Sequence, residues 1–202
     1  MRRITIAAAA FVLIFTASAA AEDLGQIFGR VGQFVAAKNY PKALEELNWA
    51  KKEIEKMHVT QVRSFFPDSL SGYKGEKFES NSMLGFTNVE RSYRNSSGNQ
   101  VKVSMTGGSS GASAAGFGQL AALGSMAAMM GAQSEGNETF RIGGRTANLA
   151  AENGNPELTI FLNSGSILKL EMLNGSEKEE LRQMAEAIKI DELDNYLRGA
   201  NQ

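Results

Sequence analysis

Cysteine is absent from all 202 residues, so the fold has no disulfide staples, no lipid-modified cysteine and no thiolate nucleophile. Histidine is nearly absent. His58 alone would have to serve any Ser–His–Asp triad or zinc site, and no Gly-x-Ser-x-Gly or His-Glu-x-x-His pattern accompanies it. Set between Met57 and Val59 on a highly charged stretch, it reads as a surface or packed side chain. Positive charge is not in excess: 21 Lys and Arg stand against 22 Asp and Glu, a formal net charge of −1. Nucleic acid and strongly anionic membranes need clustered basic residues, so neither is an expected partner.

Long apolar runs are missing too. The run from Ile4 to Phe15 is about twelve residues, short of the about 20 that a membrane-spanning helix needs. Met1-Arg2-Arg3 before it and Thr16-Ala17-Ser18-Ala19-Ala20-Ala21 after it complete the three parts of a secretory signal peptide. Cleavage after Ala19, Ala20 or Ala21, with Ala21 favoured, removes two arginines and no acid, leaving a net charge of −3. The expectation is a periplasmic or secreted chain with a signal peptide at 1–21 and no transmembrane segment after cleavage. The remaining chain of about 180 residues is long enough to bury a core unaided.

Beyond the signal, Leu24, Ile27, Phe28, Val31, Phe34 and Val35 recur at spacings of three and four, the mark of one helix face. Asn39-Tyr40-Pro41 interrupts them, because proline suits the first turn of a helix and not its interior. A second helix follows with Leu44, Leu47, Ala50, Ile54 and Met57 on one side and Glu45, Glu46, Lys51, Lys52, Glu53, Glu55 and Lys56 on the other. Together they predict an antiparallel helical hairpin over 22–66. Residues 38–50, with Tyr40, Ala43, Leu47 and Ala50 at its packing positions, resemble the turn and second helix of a tetratricopeptide repeat. Lys38 and Asn39 replace the glycine and aspartate usual in that turn, and no second copy follows. A lone repeat cannot bury its own face, so the resemblance implies that the hairpin packs on the next domain or on a partner, with Tyr40 and Trp49 buried.

Phe65-Phe66-Pro67-Asp68-Ser69-Leu70-Ser71-Gly72-Tyr73 reads as a hinge, after which the apolar period becomes two. Strands are predicted at 73–80, 88–94, 100–105, 139–142, 146–151, 158–162 and 167–173. Asn95 to Asn99, Gly143-Gly144 and Asn163 to Ser166 supply hairpin turns. Ser176, with Glu179 three residues on, forms a capping box for a helix that buries Leu181, Met184, Ala185 and Ile188. A short helix from Asp191 to Leu197 ends the pattern. The fold class is therefore α+β, with the N-terminal antiparallel helical hairpin packed on an antiparallel sheet that a C-terminal helix covers. Phe140-Arg141-Ile142-Gly143-Gly144-Arg145-Thr146-Ala147, the hairpin up to Leu173 and the helix 177–190 resemble exported proteins with the fold of the photosystem accessory protein PsbP and the Ran-binding protein Mog1. Uncharacterised bacterial exported proteins that pair such a helical start with such a sheet are also similar. The resemblance implies a fold and no activity.

The domain 67–202 carries a Gly/Ala/Met-rich insert at 107–136, without a charge until Glu135. Within it Leu120, Leu123, Met126, Ala127 and Met130 form an apolar stripe that Met129 widens, and Phe117, Leu120, Leu123, Met126, Met129 and Met130 are a candidate ligand or partner surface. Three readings remain open: a helix buried against the sheet, a ligand pocket or partner groove lined by adaptable methionines, and peripheral lipid contact. Met126, Met129 and Met130 share a helix face, yet no histidine or repeated methionine motif supports a copper site. The glycines of 107–118 lack the Gly-Lys-Ser/Thr ending of a phosphate loop. Arg141 and Arg145, flanking Gly143-Gly144, either hold an anionic ligand or belong to a solvated strand face. No pair of carboxylates stands out for hydrolysis, and no cofactor or metal is expected. The expectation is a non-enzymatic periplasmic binding or interaction protein, with an envelope protein or a small apolar ligand as partner. A structural accessory subunit of an envelope complex is the alternative, and a hydrolase the more remote one.

Overall fold

The computed structural model describes residues 23–83, 86–108, 137–152, 154–175 and 177–199. The proposed signal peptide therefore lies outside the described residues. The chain divides into two compact units, one ending at Ile54 and the other beginning at Glu55.

In the first unit, Asp23 caps helix α1 (Leu24–Ala36) by accepting from the Gly25 amide at 3.0 Å. The amides of Ala37, Lys38 and Asn39 bond back to the carbonyls of Gln33, Val35 and Phe34, and Lys38 takes a φ of 55° to close the turn. Helix α2 (Tyr40–Arg63) starts at once, with the Asn39 side chain accepting from the Lys42 amide. The two helices are antiparallel: Arg30 pairs with Glu46 at 2.8 Å, and the Lys42 ammonium lies 5.6 Å from the Phe34 ring centroid. Ile27, Ala43 and Ala50 are buried.

The second unit opens with the last turns of α2 and the turn that follows, which bring Val62, then Phe65 and Phe66, into its core. The strands are β1 (Ser69–Leu70), β2 (Tyr73–Met83), β3 (Phe86–Arg94), β4 (Gln100–Gly108), β5 (Glu138–Ile142), β6 (Arg145–Glu152), β7 (Asn155–Phe161) and β8 (Ile167–Asn174). They form one sheet in the order β1-β2-β3-β4-β8-β7-β6-β5, with antiparallel pairing throughout. Alternation stacks apolar residues in rows on one face. Val103, Leu170, Leu158 and Leu149 make one row; Met105, Leu168, Ile160 and Ala147 make the next. Helix α3 (Lys178–Ala187) lies against β7 and β8 with Leu181, Met184 and Ala185 inward, and α4 (Ile190–Leu197) follows, burying Leu193. The opposite face is polar, crossed by the ion pairs Lys102–Glu171 and Lys169–Glu157.

The mixed helix-and-sheet class and the helical hairpin match the expectation from sequence. Several details differ. The segment 65–73 is not an open hinge: Phe65, Phe66, Leu70 and Tyr73 are core residues, and β1 pairs with β2. Strand β7 starts at Asn155 rather than 158, since Pro156 sits next to the strand's start, where a missing donor is tolerated. Glu177 occupies the position before α3 and makes no side-chain cap, and Ser176 lies outside the described residues.

Candidate functional site

The turn between β5 and β6 brings Gly143 and Gly144 to φ values of 54° and 76°, a region that favours glycine. A Cβ at Gly143 would also lie 2.9 Å from Arg145 Nη1. That proximity reflects where Arg145 points. Its guanidinium is 5% exposed, donates through Nε to Asp194 Oδ2 at 2.8 Å, and donates through Nη1 to Asp191 and the Gly143 carbonyl. Asp194, with no exposure, also accepts from the amides of Ser164 at 2.8 Å and Asn163 at 3.2 Å. Burial pushes the Asp194 carboxyl up, but the Ser164 amide and the Arg145 guanidinium outweigh it and hold it below the usual carboxylate range. Burial likewise opposes the charge on Arg145, and its two carboxylates more than restore it. One ion-paired centre thus ties the β5–β6 turn, the β7–β8 turn and α4 together.

Arg145 is therefore committed inside the fold, while Arg141 is exposed on β5. The two do not converge on a common ligand position. Beside Arg145 opens a cavity of about 290 Å³ with a floor of Ile142, Ala185 and Ile188. Its rim carries Glu186, Lys189 and Glu192, and Lys189 pairs with Glu192 at 3.1 Å. The other candidate residues, Phe117, Leu120, Leu123, Met126, Met129 and Met130, lie outside the described residues.

Two further polar clusters have structural tasks. Arg91 is buried, donating to the carbonyls of Glu76 at 2.9 Å and Phe66 at 2.7 Å and to Asp68 Oδ1 at 2.6 Å. Gly75 makes room for it, since a Cβ there would lie 2.6 Å from Arg91 Nε. At the other cluster the Tyr73 hydroxyl donates to Glu180, and Asn99 Nδ2 donates to the same carboxylate at 3.4 Å. Burial, reinforced by Glu180, pushes the Tyr73 phenol up to about 12. His58 is a packed residue: it stacks on Tyr196 with Nδ1 2.8 Å from that hydroxyl. No group of three or more metal-ligating side chains is present among the described residues.

The unusual surface is on the hairpin. With 100° between successive residues, Phe28, Gly32 and Val35 make one stripe on α1, and Tyr40, Leu44, Leu47 and Ile54 make one on α2. In an antiparallel pair held by Arg30–Glu46 and by Lys42 against Phe34, both stripes turn away from these contacts to the same side of the pair. The apolar members of both are exposed, Leu44 at 62% and Tyr40 at 58%. Trp49 occupies the other side and is 56% exposed, with the Lys52 ammonium 5.0 Å from its ring centroid. The expected burial of Tyr40 and Trp49 is thus corrected: in this part of α2 the buried side chains are the small Ala43 and Ala50, and both aromatics are exposed. The apolar periodicity of 24–57 already signalled this face, and what it missed was that most of it stays uncovered.

Fold and surface define an antiparallel α+β protein that carries a helical hairpin with one apolar face. Compared with known proteins, the chain matches no family model, no curated protein and no solved structure. Among the described residues no helix is long and apolar enough to cross a membrane.

Proposed function

We propose that this chain is an exported, non-enzymatic interaction protein of the cell envelope that docks through the apolar face of its helical hairpin. The observation that carries this reading is the exposure of Phe28, Val35, Tyr40, Leu44, Leu47 and Ile54 on one side of the hairpin. Contiguous exposed apolar patches of this kind mark interaction surfaces. The ionisable clusters of the second unit support it from the other direction. Arg91, Arg145, Asp194 and Glu180 are each engaged by neighbours within the fold. Export rests on the signal-like pattern of residues 1–21, and an accessory subunit would use the same face in a lasting complex.

Site-specific photocrosslinking in cells tests the reading. A photoreactive residue at Leu44 is expected to yield discrete protein adducts that the same residue at Glu45, on the charged side, does not. Equal labelling from both positions, or none from Leu44, rejects it.

A further inference from the structure

We infer that the occupant of the hairpin's apolar face is a second copy of this chain, the two hairpins pairing face to face as a four-helix bundle. The inference rests on the docking role proposed above and names its partner. Three features of the face favour self-pairing. The first is its spacing: Tyr40, Leu44, Leu47, Lys51 and Ile54 follow one another at intervals of four and three, the seam along which helices pack in bundles. The second is shape. Nothing lies within 4 Å of a Cβ placed on Gly32, so the α1 stripe has a hole between the knobs Phe28 and Val35. A face with both knobs and a hole can receive its own copy, as an isologous contact requires.

The third feature is area. Aromatic side chains offer about 150–250 Å² each. With two aromatic and four smaller aliphatic side chains each about half exposed, the face offers on the order of 500 Å² per copy, so a symmetric contact buries at most about 1,000 Å², the lower bound for a specific interface. Charge agrees with the choice. Lys51 is the one charged residue on the seam and is engaged within its own chain, while Arg30 and Glu46 pair with each other. A lipid surface would instead be expected to select a rim of Lys and Arg on this face.

Light scattering of the purified full chain over a wide concentration range is expected to show a mass rising to twice that of one chain. Leu44→Glu is expected to hold it at one chain mass with the thermal midpoint of the sheet unit unchanged. Because the sequence has no cysteine, single cysteines report contacts without background. A short bis-maleimide is expected to link Leu47→Cys chains in pairs and to leave Glu45→Cys chains single, a test that needs no destabilised variant. A monomer at every concentration, or equal linking at both positions, overturns self-pairing. In cells the two proposals separate: a Leu44 adduct at twice the chain mass supports self-pairing, an adduct of other mass rejects it while preserving the docking role, and no adduct rejects both.

Discussion

Leu170 and Leu44 are the same residue in one chain, yet the first is fully buried and the second is 62% exposed. The sheet unit and the hairpin differ throughout in this way. In the sheet unit two apolar rows run across the strands on which α3 packs, and buried charges such as Arg145 and Asp194 have fixed partners. Among the described residues of the first unit, burial is confined to Ile27, Ala43 and Ala50, two of them alanines that hide little apolar surface. A helix of 13 residues such as α1 is marginal in water by propensity alone. The sheet unit has an extended buried interior, whereas the hairpin exposes most of its large apolar side chains.

The largest expected effect lies in the sheet unit. Asp194→Ala strands the buried Arg145 guanidinium and leaves the Ser164 and Asn163 amides without their acceptor. Breaking a buried pair from one side costs about 3–5 kcal/mol, so urea denaturation is expected to show a loss of that size, a large fraction of the about 5–15 kcal/mol of an ordinary domain. Acid acts on the same group. The folded carboxyl titrates below the unfolded value of 3.8, so its contribution is complete above that pH and fades as pH falls through the folded pKa. A variant as stable as the parent would remove Asp194 from the list of centres that hold the fold.

Next in size is the leucine pair itself. Leu170→Ala is expected to cost about 2–5 kcal/mol, as core leucines do, and Leu44→Ala less than about 0.5 kcal/mol in the monomer. Equal costs would break the contrast between the regions. Trp49→Ala sharpens it further: an exposed tryptophan is worth less than about 1 kcal/mol, against about 3–5 kcal/mol for a buried one. As the sole tryptophan, Trp49 gives a direct optical check, and its fluorescence is expected to be quenched freely by acrylamide.

Legibility in the sequence followed the same division. Period-two strands and their turns at 95–99, 143–144 and 163–166 were readable because each is decided within a few residues. The placement of β4 beside β8, and of β5 at the far edge, was not, since those pairings join residues distant in sequence. Arg145 stood out as a cation next to a glycine turn, but its partner Asp194 is 49 positions away on another element and carries no local mark. The hairpin's apolar stripe was visible as a period. Which part of a stripe meets the paired helix is decided by helix rotation, and that needs contacts such as Arg30–Glu46 between the two helices.

The smallest expected effect belongs to His58, at the edge of the sheet unit's core. Its imidazole is half-buried, stacked on Tyr196, which in turn lies against Phe65. Burial lowers its pKa below the ordinary 6.5. With the ring proton on Nε2, the Tyr196 hydroxyl donates to Nδ1; protonation removes that acceptor. Above pH 6.5 both folded and unfolded chains hold a neutral ring and nothing is lost. As pH falls through 6.5 the unfolded chain takes up a proton that the folded chain does not, so stability declines until the folded pKa is passed. The contribution of Asp194 changes only in the lower window below 3.8, so the two groups separate along the pH axis. Denaturant midpoints between pH 8 and pH 5 are expected to fall slightly for the parent chain and to stay level for His58→Gln. The same decline in both would assign the slope to another group and leave His58 as packing alone.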